Sequence, residues 1–249
     1  MVDDRPFLLL SARPETAAAV AELDSVRRAT GLADGRLAHL RLDRAPLDSI
    51  DLHAVRGVIV GGSPFNVTTP EASKSAVQLR VEADLTRLAE HGLSSSLPVL
   101  FTCYGIGVLT RVLGGVVGRE YGESAAPVPV ELTEAGRDDP LTSGLDERFL
   151  ALAAHKEATT ALPAGATLLA SGSACPTQLY RATGSRVYAT QFHPEVTPDD
   201  FIARAELYRE AGYFPPDELH VLADVVRGSE ITEPLRLLRR FVDLADLAD

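Results

Sequence analysis

Apolar residues along this chain fall into short contiguous blocks, separated by longer stretches in which they recur every three or four positions. A contiguous block of four to six apolar residues predicts a strand buried on both faces, and a 3–4 spacing predicts an amphipathic helix. The first such block, Phe7–Ser11, predicts a buried strand. Ala18, Ala19, Leu23 and Val26 then give helical spacing over 15–30, closed by Gly31. Strands are expected at 36–42 and 55–60, the latter running into Gly61-Gly62-Ser63-Pro64. A helix over 70–91 follows, then a strand leading to Cys103 and a helix over 105–113. This strand–helix alternation predicts a mainly parallel sheet covered on both faces.

The texture changes at Pro127. Segments 127–132, 166–171, 177–181 and 186–192 read as strands joined by turns with little helix between them. They are expected to extend the sheet antiparallel or to form a small second one. Beyond Thr197 helical spacing returns over 198–211, 216–227 and 233–247. The expected organisation is one α/β domain over 1–197, with 198–249 as a helical extension packed on it. No internal repeat or low-complexity linker is visible.

Composition narrows the function classes. With 249 residues, 45% hydrophobic and 24% charged, the chain can bury a sizeable core without disulfides. A net charge of −11 and the lack of a basic stripe argue against nucleic acid as a partner. No run of about 18 apolar residues predicts a membrane span. The acidic start Met1-Val2-Asp3-Asp4 lacks the apolar core of a signal peptide. Two cysteines, Cys103 and Cys175, make no disulfide framework and fit a reducing compartment, so a cytoplasmic protein is expected.

Three groups of residues carry candidate chemistry. Cys103 ends an apolar strand just before a helix, where the helix dipole favours a thiolate and the N–H of Tyr104 points toward the same spot. Taken alone, a buried inert cysteine closing a central strand explains it equally well. His193 closes the strand over 186–192, and Glu195 follows across Pro194. That pair supplies a base and a carboxylate to fix its tautomer. Gly61-Gly62 allows close approach of backbone to a ligand, so an N–H from this loop can complete an oxyanion hole. No phosphate-binding loop is present, because no Lys-Ser or Lys-Thr follows at the required spacing. His155-Lys156-Glu157 has the His-x-Glu form of a zinc deaminase but lacks the Pro-Cys-x-x-Cys, so no metal is expected there. His155 is expected to bond within a loop or line the pocket edge, and His39, His53, His91 and His220 are read as structural.

In order along the chain, Gly61-Gly62, Cys103-Tyr104-Gly105, His155 with Leu162-Pro163-x-Gly165, and Gln191-Phe192-His193-Pro194-Glu195 resemble the class I glutamine amidotransferases, most closely the GMP-synthase-like group. The resemblance covers roughly 7–196, and the last motif is its most specific part. It implies a flavodoxin-like three-layer α/β sandwich and hydrolysis of a glutamine side-chain amide, with no cofactor. Cys103, His193 and Glu195 would form the catalytic triad, Gly62 and Tyr104 the oxyanion hole, and Gly61, Gly105 and Gly107 the substrate-binding frame. Two positions depart from the family pattern: Phe101 stands where a glycine is usual, and Gly107 where a substrate-binding glutamine is usual. The substrate is therefore expected to be glutamine or a related amide. The chain leaves no room for a synthetase domain, so the implied partner is an ammonia-accepting synthetase in trans. A stand-alone γ-glutamyl or amide hydrolase and a catalytically silent partner-binding module are the alternatives.

Overall fold

Strand β1 (Phe7–Ser11) has no exposed residue, and its side chains alternate between two cores. Phe7 and Leu9 pack with Val26 of helix α1 (Thr16–Thr30) and with Leu237 and Phe241 of the last helix, α7 (Glu233–Asp246). Leu8 and Leu10 pack on the opposite face with Val81 and Leu85 of α2 (Ala76–Ser94) and Ile106 and Leu109 of α3 (Tyr104–Val112). A strand buried on both faces needs a helical layer on each, which is why its sequence is apolar throughout. The protein is represented by a computed structural model that describes residues 4–246. Leu247, the last residue expected in α7, and the N-terminal Met1-Val2-Asp3 lie outside the described residues.

The main sheet has nine strands, and its order builds the site. One half is parallel: β2 (Leu37–Arg41), β1, β3 (Gly57–Val60), β4 (Val99–Thr102) and β11 (Val187–Thr190) lie side by side. Val60 is in register with Phe101, and Thr102 with Thr190. Gly61-Gly62, Cys103 and Gln191 to Glu195 therefore leave the sheet together at its carboxyl edge, where ligand sites of such sheets form. This is the expected flavodoxin-like α/β arrangement, with a mainly parallel core between helical layers.

The other half is antiparallel, running from β11 through β10 (Leu179–Ala182), β9 (Ala166–Ser171) and β6 (Glu123–Leu132) to β7 (Arg148–His155). A separate pair joins β5 (Val116–Gly118) to β8 (Ala158–Ala161). The four expected strands of this region all join the main sheet, and the small second sheet is built from other segments. Strands β5, β7 and β8 and the short helix α4 (Glu134–Asp138) were not foreseen. Much of β7 is Leu-Ala-Leu-Ala-Ala, small residues of low strand preference, and long pairing with β6 overrides that preference. The helix expected over 70–91 begins later, at Ala76, because Ser75 caps it by accepting the Gln78 N–H at 3.1 Å.

After β11, a reciprocal capping box between Thr197 and Asp200 starts α5 (Pro198–Leu207). Phe201 and Ala205 of α5 and Leu222 and Val226 of α6 (Leu219–Arg227) pack on Ala125 and Leu152 of β6 and β7. Residues of the C-terminal helices thus share cores with the sheet. No helix among the described residues is long and apolar enough to cross a membrane.

Candidate active site

Cys103 sits between β4 and α3 with φ 50° and ψ −101°, the one non-glycine residue with positive φ among the described residues. A non-glycine residue there is strained, and neighbouring bonds hold it. Its N–H donates to the Thr190 carbonyl at 2.8 Å, and the Thr102 hydroxyl donates to the Val60 carbonyl at 2.8 Å. This backbone turn carries the thiol out of the strand direction to the start of α3.

The backbone N–H of His193 donates to the Leu152 carbonyl at 3.0 Å, which fixes the start of the turn. Its ring Nδ1 lies 3.0 Å from Glu195 Oε1, and the ring stands beside Cys103, both bordering one cavity and both within 3.5 Å of where a Cβ on Gly62 would sit. Glu195 therefore orients a ring whose other nitrogen is free for the thiol. Burial alone would lower the His193 pKa, but Glu195 and Cys103 outweigh it and push it up to about 9. Burial would likewise raise the Glu195 pKa, but His193 and Arg204 hold the carboxyl well below its ordinary range. The structure thus brings Cys103, His193 and Glu195 into one continuous chain of contacts.

Gly62 lies against this chain. A Cβ added there would be 2.7 Å from His193 Cε1 and 3.5 Å from Cys103 Cβ, so only glycine fits without displacing the imidazole. Tyr104 opens α3, and its N–H is one of the helix's donors without an intrahelical partner. Gly61 faces elsewhere: its missing Cβ leaves room for the buried Glu22 carboxylate, 2.7 Å from that position at Oε1.

Two arginines that the sequence reading did not single out complete the surroundings. Arg204, on α5, donates to Glu195 Oε1 at 2.7 Å and lies 3.1 Å from His193 Nδ1. Arg13, just beyond β1, donates to Glu22 Oε1 at 2.8 Å, and its guanidinium would lie 2.9 Å from a Gly62 Cβ. Arg13 carried a readable signal, since it follows a parallel strand at the carboxyl edge. Arg204 carried none beyond its position nine residues after Glu195. Replacing Arg204 with methionine removes one of the two cations beside the buried Glu195 carboxylate, leaving His193, and is expected to cost about 1.5–3 kcal/mol. Chemical denaturation of the variant checks this.

Two small lobes meet at Cys103. One, about 40 Å³, is bordered by Arg13, His193, Arg204, Phe201 and Tyr208. The other, about 20 Å³, is bordered by Tyr104, Phe65, Asn66, Glu157 and Gln191. Ser63, Ala154 and Tyr213 border both and form the waist between them. Each lobe holds a few waters at most. Tyr213 is the largest side chain that borders both lobes.

A family model described as glutamine amidotransferase class-I matches residues 31–205, well over half of the chain. The chain belongs to the class I glutamine amidotransferase family. A glutamine-hydrolysing GMP synthase from Thermus thermophilus is 31% identical over 195 residues, covering 74% of this chain and 34% of that protein. Its counterpart from Porphyromonas gingivalis is 34% identical over 150 residues, covering 59% of this chain and 26% of that one. The chain thus spans about a quarter to a third of the length of the curated relatives it matches. Among solved structures, a glutamine amidotransferase from Thermotoga maritima aligns over 98% of this chain and 99% of its own, with TM-score 0.76 and 18% identity. A glutamine amidotransferase from Methylobacillus flagellatus aligns over 97% and 95%, with TM-score 0.68 and 15% identity. These two share the fold.

The two departures of this family member have visible causes. Phe101 is fully buried, and its Cβ would be 3.0 Å from a Cβ on Gly105, so the second glycine makes room for the phenyl ring. A Cβ on Gly107 would meet Val67 Cγ2 at 3.0 Å and Glu157 Oε1 at 3.8 Å. Glu157 accepts the N–H groups of Val67 at 2.6 Å and Thr68 at 2.9 Å. Val67 and Glu157 therefore stand where a longer side chain at 107 would begin.

Proposed function

We propose that this chain hydrolyses the side-chain amide of glutamine, or of a close γ-glutamyl relative, through a thioester on Cys103. The observation that carries the reading is the buried His193 ring, 3.0 Å from Glu195 Oε1 on one side and beside Cys103, at the strained turn before α3, on the other. The thiolate of Cys103 attacks the carboxamide carbon and forms a C–S bond. N–H groups of Gly62 and Tyr104 hold the resulting oxyanion. Protonated His193 gives its proton to the departing nitrogen, the C–N bond breaks, and ammonia leaves. Water then adds to the thioester, His193 takes its proton, and the C–S bond breaks to release glutamate. Glu195 keeps the imidazole in the required tautomer and stabilises its charge. Gly61, Gly105 and Gly107 would serve the substrate frame through the neighbours that take up the room they leave, Glu22, Phe101 and Val67.

The GMP synthase relatives named above are glutamine-hydrolysing, which supports glutamine as the donor. Their being GMP synthases supports an ammonia-accepting synthetase as the partner of this domain. Purified protein given glutamine, with and without a candidate synthetase, is expected to release glutamate and ammonia in equal amounts. Absence of glutamate release in both conditions rejects the reading. A Gly62→Ala variant is expected to lose about 10²-fold in kcat, because the added methyl displaces His193. An unchanged kcat in a normally folded variant contradicts the role given to this loop.

A further inference from the structure

We infer that Glu123, His155 and Cys175 form a divalent cation site, with the chemistry of a structural zinc site, behind one wall of the Cys103 cavity. The sequence argued against a metal at His155 because no second cysteine stood nearby, but the fold supplies Cys175 from the turn between β9 and β10. Glu123 begins β6 and His155 ends β7, and the two are directly paired in register. One ligand atom from each of the three residues lies within 4.8 Å of the others. Zinc bonds of about 2.0–2.3 Å place tetrahedral ligand atoms roughly 3.3–3.7 Å apart, so closure needs about 1 Å of movement.

Hydrogen bonding inside the cluster points to a missing positive charge. His155 Nδ1 lies 3.0 Å from the Glu157 carbonyl oxygen, which only accepts, so the ring proton is on Nδ1. In the neutral ring, Nε2 then presents a lone pair to Glu123 Oε2, another acceptor, at 2.9 Å. Gln178 Nε2 donates to that same oxygen at 2.8 Å, which fixes the amide orientation. Its Oε1 is left buried without a partner. A proton on the imidazole relieves the first conflict alone. A cation engages Nε2, the carboxylate and the thiolate together, three ligands of a tetrahedral set.

The donor chemistry fits. Mixed nitrogen, sulfur and oxygen ligands favour zinc over magnesium or calcium. Binding breaks the Cys175 S–H bond, forms the metal–sulfur bond and releases one proton to solvent. The thiolate and the Glu123 carboxylate together balance the charge of a divalent ion. The Nδ1–H of His155 bonded to a backbone carbonyl is a usual outer support for a metal-bound imidazole. Such a staple would tie β6, β7 and the β9–β10 turn together. It would also steady Glu157, whose carboxylate holds the Val67-Thr68 backbone beside Cys103.

Cobalt and zinc binding test this without reference to activity. In a Cys103→Ser background Cys175 is the remaining thiol, since the chain has two cysteines. Protein stripped with chelator and given Co²⁺ is expected to bind one equivalent and show a thiolate-to-cobalt charge-transfer band. Zn²⁺ is expected to displace the cobalt and raise the Tm. Adding Cys175→Ala should abolish the band. If that variant does not fold, the isosteric Glu123→Gln should weaken Zn²⁺ binding at least tenfold. No retained equivalent and no band overturn the inference, as does a bound equivalent insensitive to both substitutions.

Discussion

Cys103→Ala is expected to lower kcat/KM for glutamine hydrolysis by about 10⁴-fold or more. The thiol is the single group in the proposed path that forms a covalent bond to substrate, so no neighbour substitutes for it. Alanine also lacks the sulfur that His193 contacts, which removes one of the influences raising the histidine pKa. The fold should survive. Cys103 N–H still donates to the Thr190 carbonyl, and alanine at φ 50° is no more strained than cysteine. Steady-state kinetics together with thermal denaturation checks this: activity should collapse while the Tm changes little. Hydrolysis persisting within tenfold of the wild type would place the chemistry elsewhere.

Glu195→Gln is expected to reduce kcat by roughly 10⁴-fold and to move the alkaline limb of the pH profile toward lower pH. The sign follows from His193. Burial lowers its pKa, while Glu195 and Cys103 raise it to a net value of about 9 from an ordinary 6.5. The charged form is the general acid for ammonia, so activity falls as pH rises through about 9. Removing the carboxylate lets burial win, and that fall comes earlier. A stability effect accompanies it. The His193 contribution is fully present below pH 6.5 and is lost as pH rises through about 9. The Glu195 contribution, from a pKa lowered below its ordinary 4.5, is present above that value and lost as pH falls beneath it. The pair therefore stabilises the fold most between about pH 4.5 and 6.5. In the Gln variant, stability measured across pH should lose this dependence on both sides.

The parallel half of the sheet was legible because strands buried on both faces are written as unbroken apolar blocks, such as Leu8-Leu9-Leu10 and Val58-Ile59-Val60. Cys103 and His193 were legible for a related reason: each stands where such a block stops. Strand β7 was not, since alanines suit a helix as well as a strand and only its partner β6 decides between them. The carboxyl-edge place of Arg13 was readable, but its contacts, like those of Arg204, are not encoded in local pattern. Arg13 reaches Tyr208 across 195 positions, and Arg204 reaches back from a helix that looked like an appendage. Cys175 was set aside as a metal ligand for want of a Pro-Cys-x-x-Cys motif, and its neighbours Glu123 and His155 come from other strands.

The glycines teach the complementary lesson. Gly61, Gly62, Gly105 and Gly107 stand out in the sequence for what they could touch, yet each is explained in the structure by a neighbour that needs its space. Glu22 crowds Gly61, His193 crowds Gly62, Phe101 crowds Gly105 and Val67 crowds Gly107. The unusual Phe101 and the glycine at 105 are thus one packing solution, and the altered frame beside Cys103 is filled rather than empty.

The central claim is a γ-glutamyl thioester on Cys103. Acid quenching of the protein during turnover of glutamine, followed by peptide mass mapping, tests it most directly. The account predicts a γ-glutamyl mass on the peptide containing Cys103, lost in Cys103→Ala and sensitive to hydroxylamine. Turnover with no adduct at Cys103, or an adduct at Cys175 instead, would contradict it.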